Sequence, residues 1–375
     1  MSSLASLPIV DLDVYLNSTS DDERDRECKK AAEALITYGA LILHDSRVEE
    51  EDNSTFLDLL EDYFAQPDEL LRKDERPELG YQVGATLENT EKPKCAVHEP
   101  CLDVIDRLEP SERPLDISGH HPDPKCRFFW RMTTPPPYET AFPGINAPNV
   151  IPEAFKDTWQ PTLEKWGKTM KQAVGNLAEM TSFGLGLERT YFVDAAKYGP
   201  HILAPTASDL GKYGAKDTIL AGFHTDLNFL TIHGRSRYPG LNIWARNSGK
   251  RIPVVFPTEG KYLLVQAGKQ LEHLTGGLIK AGYHEVVVND ATLATMAKRA
   301  LSHPGRPQIR ISSTFFYHLS SDFDLFPIEK LAQKALEYDD VPGSRLDSGA
   351  KPTVYENMKV GQQVQNELRH IALMA

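Results

Sequence analysis

Residues 222–232 read GFHTDLNFLTI, and the fold turns on how this stretch is read. His224 and Asp226 stand two apart at the head of a short apolar run. In a strand, residues i and i+2 face the same side, so the imidazole and the carboxylate can reach one ion. Two histidines and one carboxylate on one face of an octahedral ion form the facial triad that suits non-haem Fe(II), with open positions for a co-substrate and O2. The pair alone is weak evidence, because the chain carries 12 histidines and 53 acidic residues. A second H-x-D, His121-Pro-Asp123, lies in a proline-rich stretch with no apolar run after it, and we read it as a chance match.

A third ligand has to come from downstream, where His233, His273, His284, His303 and His318 follow. His284 opens HEVVV, a strand-like run that a barrel can bring beside the first, and it is the favoured candidate. His318 and His233 are weaker candidates; His273 sits in a turn-like context and His303 in a loop before Pro304-Gly305. Further on, Arg310-Ile311-Ser312 enters the apolar STFF. A guanidinium and a hydroxyl on one strand face suit the far carboxylate of a dicarboxylate such as 2-oxoglutarate, whose keto acid end would chelate the iron. Asn228 and Phe229, just past the first ligands, join Phe129, Arg131 and Phe316 as candidate substrate-pocket residues. The aromatic stretch around Phe129 and Arg131 has a plainer reading, the packing of a long loop, and Arg299 and Arg306 read as solvated.

Around this centre the chain changes rhythm. LPIVDLDVYL reads as a short strand, residues 21–39 as a helix closed by Gly39, ALILHD as a buried strand, and residues 54–67 as a helix capped by Ser54. Residues 76–152 are crowded with prolines and read as a long irregular excursion packed on the body or over a site. A long helix follows from Pro161 to about Leu187. Short β-branched and aromatic runs then recur between Gly, Pro, Asn and Asp, as in an all-β sandwich or barrel. ATLATMAKRALSHPG interrupts them as a helix, and two closing helices end the chain.

A length of 375 residues with 41% hydrophobic content gives a sizeable core. The net charge of −12 argues against broad electrostatic binding to nucleic acid or anionic membrane. No apolar run approaches the ~20 residues of a membrane span, and the start lacks the pattern of a secretory signal. Cys28, Cys95, Cys101 and Cys126 have no C-x-x-C spacing and read as reduced cytosolic thiols. The expectation is a cytoplasmic monomer acting on a small molecule, without nucleic-acid or membrane partners.

HTDLNFLTI, YPGLNIW, the stretch from Tyr262 to Val287 ending in the distal histidine, and RISSTFF resemble the iron(II)- and 2-oxoglutarate-dependent oxygenases of the isopenicillin N synthase-like superfamily. LPIVDLDVY and ALITYGALILHD resemble that family's N-terminal region. The resemblance implies a mainly β fold with flanking α, a double-stranded β-helix (jelly-roll) core with N-terminal and C-terminal helices. It implies one structural unit: 1–190 an N-terminal mixed region, 191–320 the catalytic core, 321–375 the closing helices. His224, Asp226 and His284 become the iron ligands, and Arg310 and Ser312 bind the distal carboxylate of 2-oxoglutarate. The implied reaction uses Fe(II), 2-oxoglutarate and O2, with ascorbate as a supporting reductant. It oxidises a small organic metabolite by hydroxylation, desaturation or cyclisation and releases succinate and CO2. Two alternatives stay open: an iron oxidase of the isopenicillin N synthase or aminocyclopropane carboxylate oxidase type that does not use 2-oxoglutarate, and a non-catalytic barrel that binds a small acid. The chain departs from the family pattern at ILAPTASD, at Gly268-Lys269, at Glu285 and at the insert 291–305.

Overall fold

Asp11 closes β1 (Ile9–Asp11) and caps α1 (Leu12–Asn17), its carboxylate accepting the Asp13 N–H. The run expected as one strand is therefore a strand followed at once by a helix. The structure, a computed structural model, describes residues 6–91, 95, 98–115, 122–257, 261–341, 344–346 and 353–370. α2 (Asp21–Tyr38) starts on the Ser20 hydroxyl and ends at Gly39, whose φ of +69° is left-handed. A Cβ at Gly39 would also lie 2.9 Å from the Arg246 side chain, so glycine is needed there twice over. β2 (Ala40–His44) follows. α3 (Glu50–Phe64) begins before Ser54, because Glu50, Glu51 and Asp52 place three carboxylates at the positive end of the helix dipole. α4 (Asp68–Leu71), β3 (Gly84–Thr86), α5 (Glu99–Arg107) and β4 (Cys126–Arg131) come next.

The second half begins with the long α6 (Trp159–Gly184) and α7 (Tyr191–Ala196). Then come β5 (Ile202–Leu203), β6 (Thr206–Asp209), α8 (Leu210–Tyr213), β7 (Ile219–His224), β8 (Leu230–His233), β9 (Leu241–Trp244), β10 (Arg251–Pro253) and β11 (Tyr262–Ala267). α9 (Lys269–Leu274), β12 (Tyr283–Val287), α10 (Asp290–Ser302), β13 (Ile309–Ser312) and β14 (Thr314–Tyr317) complete the core. A short ribbon of β15 (Asp324–Leu325) and β16 (Met358–Lys359) flanks the closing helices α11 (Glu329–Asp339) and α12 (Val360–His370).

The larger sheet runs β1-β2-β11-β8-β14-β5-β4-β6-β13, with β3 paired to β4; the smaller runs β10-β9-β12-β7. Together they form the jelly roll, with helices packed outside. α6 lies on α2, α3, β8 and β14, and its Trp166 indole donates to Ser313 Oγ at 2.7 Å. Trp159, Trp166, Phe56, Phe128, Phe192 and Phe315 are buried in the layer between helices and sheet. Each such side chain contributes about 1.5–3 kcal/mol relative to exposure.

The excursion 76–152 is less irregular than its prolines suggest. CRFFWR is β4, paired with β5 and β6 inside the larger sheet. Its period of two puts Phe128 and Trp130 into the core while Arg127 and Phe129 face the barrel interior. Cys95 and Cys101 are joined as a disulfide, with Cα atoms 5.1 Å apart, which corrects the reduced-thiol reading for these two. The first turn of α5 brings Cys101 back over Cys95, a closeness that linear spacing does not reveal. Cys28 and Cys126 are free, and burial pushes the Cys126 thiol up to about 12. Arg299 and Arg306 are only partly solvated, their side chains 14% and 31% exposed. With Arg237 they surround Glu61 of α3, which is 1% exposed, at 3.4, 3.0 and 2.9 Å. His121 lies outside the described residues.

Candidate metal centre and active site

The smaller sheet supplies the two histidines. β7 and β12 are antiparallel neighbours with His224 directly opposite His284, and the ring centroids are 4.2 Å apart. Each imidazole is held by the carbonyl two residues earlier: His224 Nδ1 lies 2.6 Å from Gly222 O, and His284 Nδ1 3.4 Å from Gly282 O. A carbonyl only accepts, so Nδ1 carries the proton and Nε2 is left as the donor atom. Burial first, then the neighbouring His284, lowers His224 to about 4, so its ring is neutral at pH 7. Asp226 follows the end of β7. Its Oδ2 accepts the Thr231 hydroxyl at 2.7 Å, which turns Oδ1 toward the histidines, 3.7 Å from His224 Nε2 and 3.8 Å from His284 Nε2. Burial opposes its charge, yet His284, His224 and the Thr231 hydroxyl outweigh that and hold the carboxyl below its ordinary range. The three donor atoms lie within 4.8 Å of one another. Two imidazoles and one carboxylate are the donor set that suits Fe(II), so the residues fit the ion.

These residues line a cavity of about 260 Å³ inside the barrel. Arg310 and Ser312 on β13 face the same cavity, and Arg310 Nη1 donates to Ser312 Oγ at 2.5 Å. Arg310 is 5% exposed, and burial lowers it to about 10. Among the described residues no carboxylate forms an ion pair with it. A buried guanidinium of this kind is costly unless an anion arrives to meet it.

Of the pocket candidates, Asn228, Phe129 and Phe316 line the cavity, with the two phenyl rings edge to face at 6.2 Å. Phe229 and Arg131 do not. Phe229 is fully buried and packs edge to face on Phe192 at 4.9 Å. Arg131 donates to the carbonyls of Gln82 and Pro200, at 3.0 and 3.3 Å, and serves as a structural cross-link. His233 and His318 also line the cavity but lie outside the donor cluster. The His233 ring nitrogens meet Gln266 and Thr314 at 3.0 and 3.2 Å, and His318 Nδ1 meets Gln270 at 3.2 Å. His273 sits at the end of α9 and His303 just past α10.

Sequence reasoning missed several cavity residues. Asp123 belongs to the H-x-D set aside as chance, and Lys125 and Arg127 follow it on alternate positions into β4. The alternation in DPKCRFF was the available signal. α12 contributes Val364, Glu367 and Leu368 to the outer wall and packs on Phe142 and Ile145.

Fold and site define a class: a jelly roll built around a His–Asp–His donor cluster with a buried arginine beside it. Residues 191–319 match the 2OG-Fe(II) oxygenase superfamily. It is 26% identical to the flavonol synthase/flavanone 3-hydroxylase of Petunia hybrida over 46% of this chain and 44% of that one. It is 24% identical to the 2-oxoglutarate-dependent dioxygenase thnC of Trichoderma harzianum over 75% of this chain and 80% of the relative. The match thus spans less than half of the petunia relative's length. Among solved structures, a 2OG-Fe(II) oxygenase family protein from Caulobacter crescentus superposes with a TM-score of 0.68 at 19% identity, over 98% of this chain and 99% of that one. A full-length Neurospora crassa protein in complex with alpha-KG and thymine gives 0.67 at 17% identity, over 98% of each chain.

Proposed function

We propose that this chain is a non-haem Fe(II)- and 2-oxoglutarate-dependent dioxygenase that oxidises a small organic metabolite and releases succinate and CO2. One observation carries the reading: a His224–Asp226–His284 donor cluster shares its cavity with Arg310, a buried guanidinium with no carboxylate partner among the described residues. When bound, Fe(II) supplies O2 activation, coupling oxidative decarboxylation of 2-oxoglutarate to oxidation of a C–H bond.

The chain's own residues supply placement. His224, Asp226 and His284 present Nε2, Oδ1 and Nε2, each oriented by a hydrogen bond to its other polar atom. Arg310 and Ser312 take the distal carboxylate of the co-substrate, which fixes its keto acid end toward the ligands. Phe129, Phe316, Leu220, Leu241 and Val286 form the apolar part of the wall and keep water from the reacting carbon. The reading includes a monomer working in the cytoplasm, which size-exclusion chromatography and cell fractionation test.

The experiment is anaerobic binding of Fe(II) and 2-oxoglutarate, followed by succinate assay in air with ascorbate. One equivalent of metal is expected, with 2-oxoglutarate binding that depends on it. Asp226→Ala is expected to abolish metal retention, and Arg310→Ala to weaken 2-oxoglutarate at least ~10-fold while sparing the metal. Binding of 2-oxoglutarate unchanged in Arg310→Ala overturns the co-substrate assignment, and O2 uptake without succinate transfers the protein to the oxidase type.

A further inference from the structure

The strand that carries His224 is irregular where it matters. Two steps along β12, from His284 to Val286, correspond to three along β7, from His224 to Ala221. β7 therefore bulges over Gly222 and Phe223, immediately before the ligand. A bulge bends its strand, re-aims the neighbouring side chain and takes backbone groups out of the ladder. The Gly222 carbonyl is the group that fixes the His224 ring, at 2.6 Å. The Gly222 N–H, on the same residue, donates to Asp123 Oδ1 at 3.1 Å.

Asp123 is built to hold that bond. It is 7% exposed and lines the cavity. Lys125 Nζ meets its other oxygen, Oδ2, at 2.7 Å and reaches Glu91 at 3.3 Å, while Arg127 pairs with Glu91. Backbone bonds from Asn89 N to Asp123 O and from Asp123 N to Glu91 O, at 3.1 and 3.3 Å, fix its main chain. One carboxylate oxygen thus answers to Lys125, and the other is left for the bulge.

We infer that Asp123 is a positioning residue for the metal centre: it braces the β7 bulge through the Gly222 N–H, and the braced Gly222 carbonyl in turn sets the ring of His224. This rests on the iron reading above and adds to it a residue from the H-x-D that has no ligand role. Partners that orient a ligating histidine are typically worth about 10- to 100-fold in metal affinity.

The test uses Co(II) and Fe(II) alone as probes, on the full chain. Asp123→Ala is expected to weaken Co(II) binding by about 10- to 100-fold, to alter the visible ligand-field bands of the bound cobalt, and to speed hydrogen exchange at the Gly222 amide in the metal-free protein. Asp123→Asn keeps an acceptor but loses the Lys125 charge partner, and falls between wild type and Asp123→Ala. Affinity and cobalt spectrum within about twofold of wild type in both variants overturn the inference. Should Asp123→Ala not fold, Asp123→Asn decides it by the same criterion. Wild-type protein that binds neither ion sinks the iron reading and the positioning role with it, whereas unchanged affinity in the variants sinks the positioning role alone.

Discussion

Thr231 does for Asp226 what a backbone carbonyl does for each histidine. Its hydroxyl, fully buried, donates to Asp226 Oδ2 at 2.7 Å and lies 3.1 Å from Asn228 Oδ1. Thr231→Val keeps the shape and removes the donor. Metal affinity is expected to fall about 10-fold or more, with a stability loss of about 1–2 kcal/mol. Calorimetric metal titration and urea unfolding of the same variant separate the two effects, and unchanged affinity ends the orienting role. At this scale type and spacing offered candidates: His224 and Asp226 at i and i+2, His284 opening a strand, Arg310 and Ser312 at i and i+2. They did not suffice alone, and the family resemblance was needed to give them roles. Phe229 and Arg131 were misplaced for a different reason. Phe229 was named for standing just past the ligands, but it alternates with His224, Asp226 and Asn228, which face the cavity, and so turns to Phe192. Arg131 shares its parity with Arg127 and Phe129, but it lies at the strand's end, where carbonyls capture it.

α10 interrupts the β series without disturbing it, because a capping box at Asn289 and Thr292 starts it and a charge cluster holds its far end. Arg299 of α10, Arg306 just beyond it and Arg237 after β8 converge on Glu61 of α3, so one buried carboxylate ties the insert to the N-terminal half. Glu61→Ala takes the buried carboxylate from Arg299, while Arg237 and Arg306 keep Asp58 and Asp62 at the surface. The expected cost is roughly 3 kcal/mol, the low end for a broken buried pair because the arginines keep some contact with solvent. Urea unfolding reads it, and a loss below about 1 kcal/mol refutes the account. No sequence window shows this cluster, since its members lie far apart along the chain. The same limit hid the pairing of the short β5 and β6, whereas Cys95 and Cys101 are only six residues apart and are brought together by the first turn of α5. By contrast the period-two runs of β7, β8, β9, β11 and β12 are local patterns and were readable directly.

Taken whole, the molecule keeps several interior histidines neutral. Burial is the leading cause that lowers His224 to about 4 and His233 and His318 to about 3. Unfolded histidines titrate near ~6.5. The folded values lie below the unfolded one, so the unfolded chain takes up protons first as the pH falls. The stability these groups contribute is full above about 6.5 and is lost progressively toward the folded values between about 4 and 3. The metal-free protein is expected to show a urea midpoint that declines from pH 7 to pH 5, and His318→Gln is expected to flatten the slope. A midpoint independent of pH over that range overturns this. The order of helices, excursion, β-rich core and closing helices was legible and left a barrel or a sandwich open, and the family resemblance narrowed it to the jelly roll. The excursion was the opaque part, since its strand reaches the sheet only through pairing with segments far along the chain.

The division of labour around the cavity has a consequence for descent. His224 and His284 sit on the paired β7 and β12, and Arg310 on β13 paired with β6, where a slip of one residue reverses every side chain. The outer wall is drawn from α12, which meets Phe142 and Ile145 by apolar contact that tolerates exchange of one shape for another. Mutation can thus rewrite what is admitted while the apparatus that reacts is inherited intact. A lineage with this architecture can acquire new substrates by drift at its periphery, with no generation having to pass through an inactive ancestor.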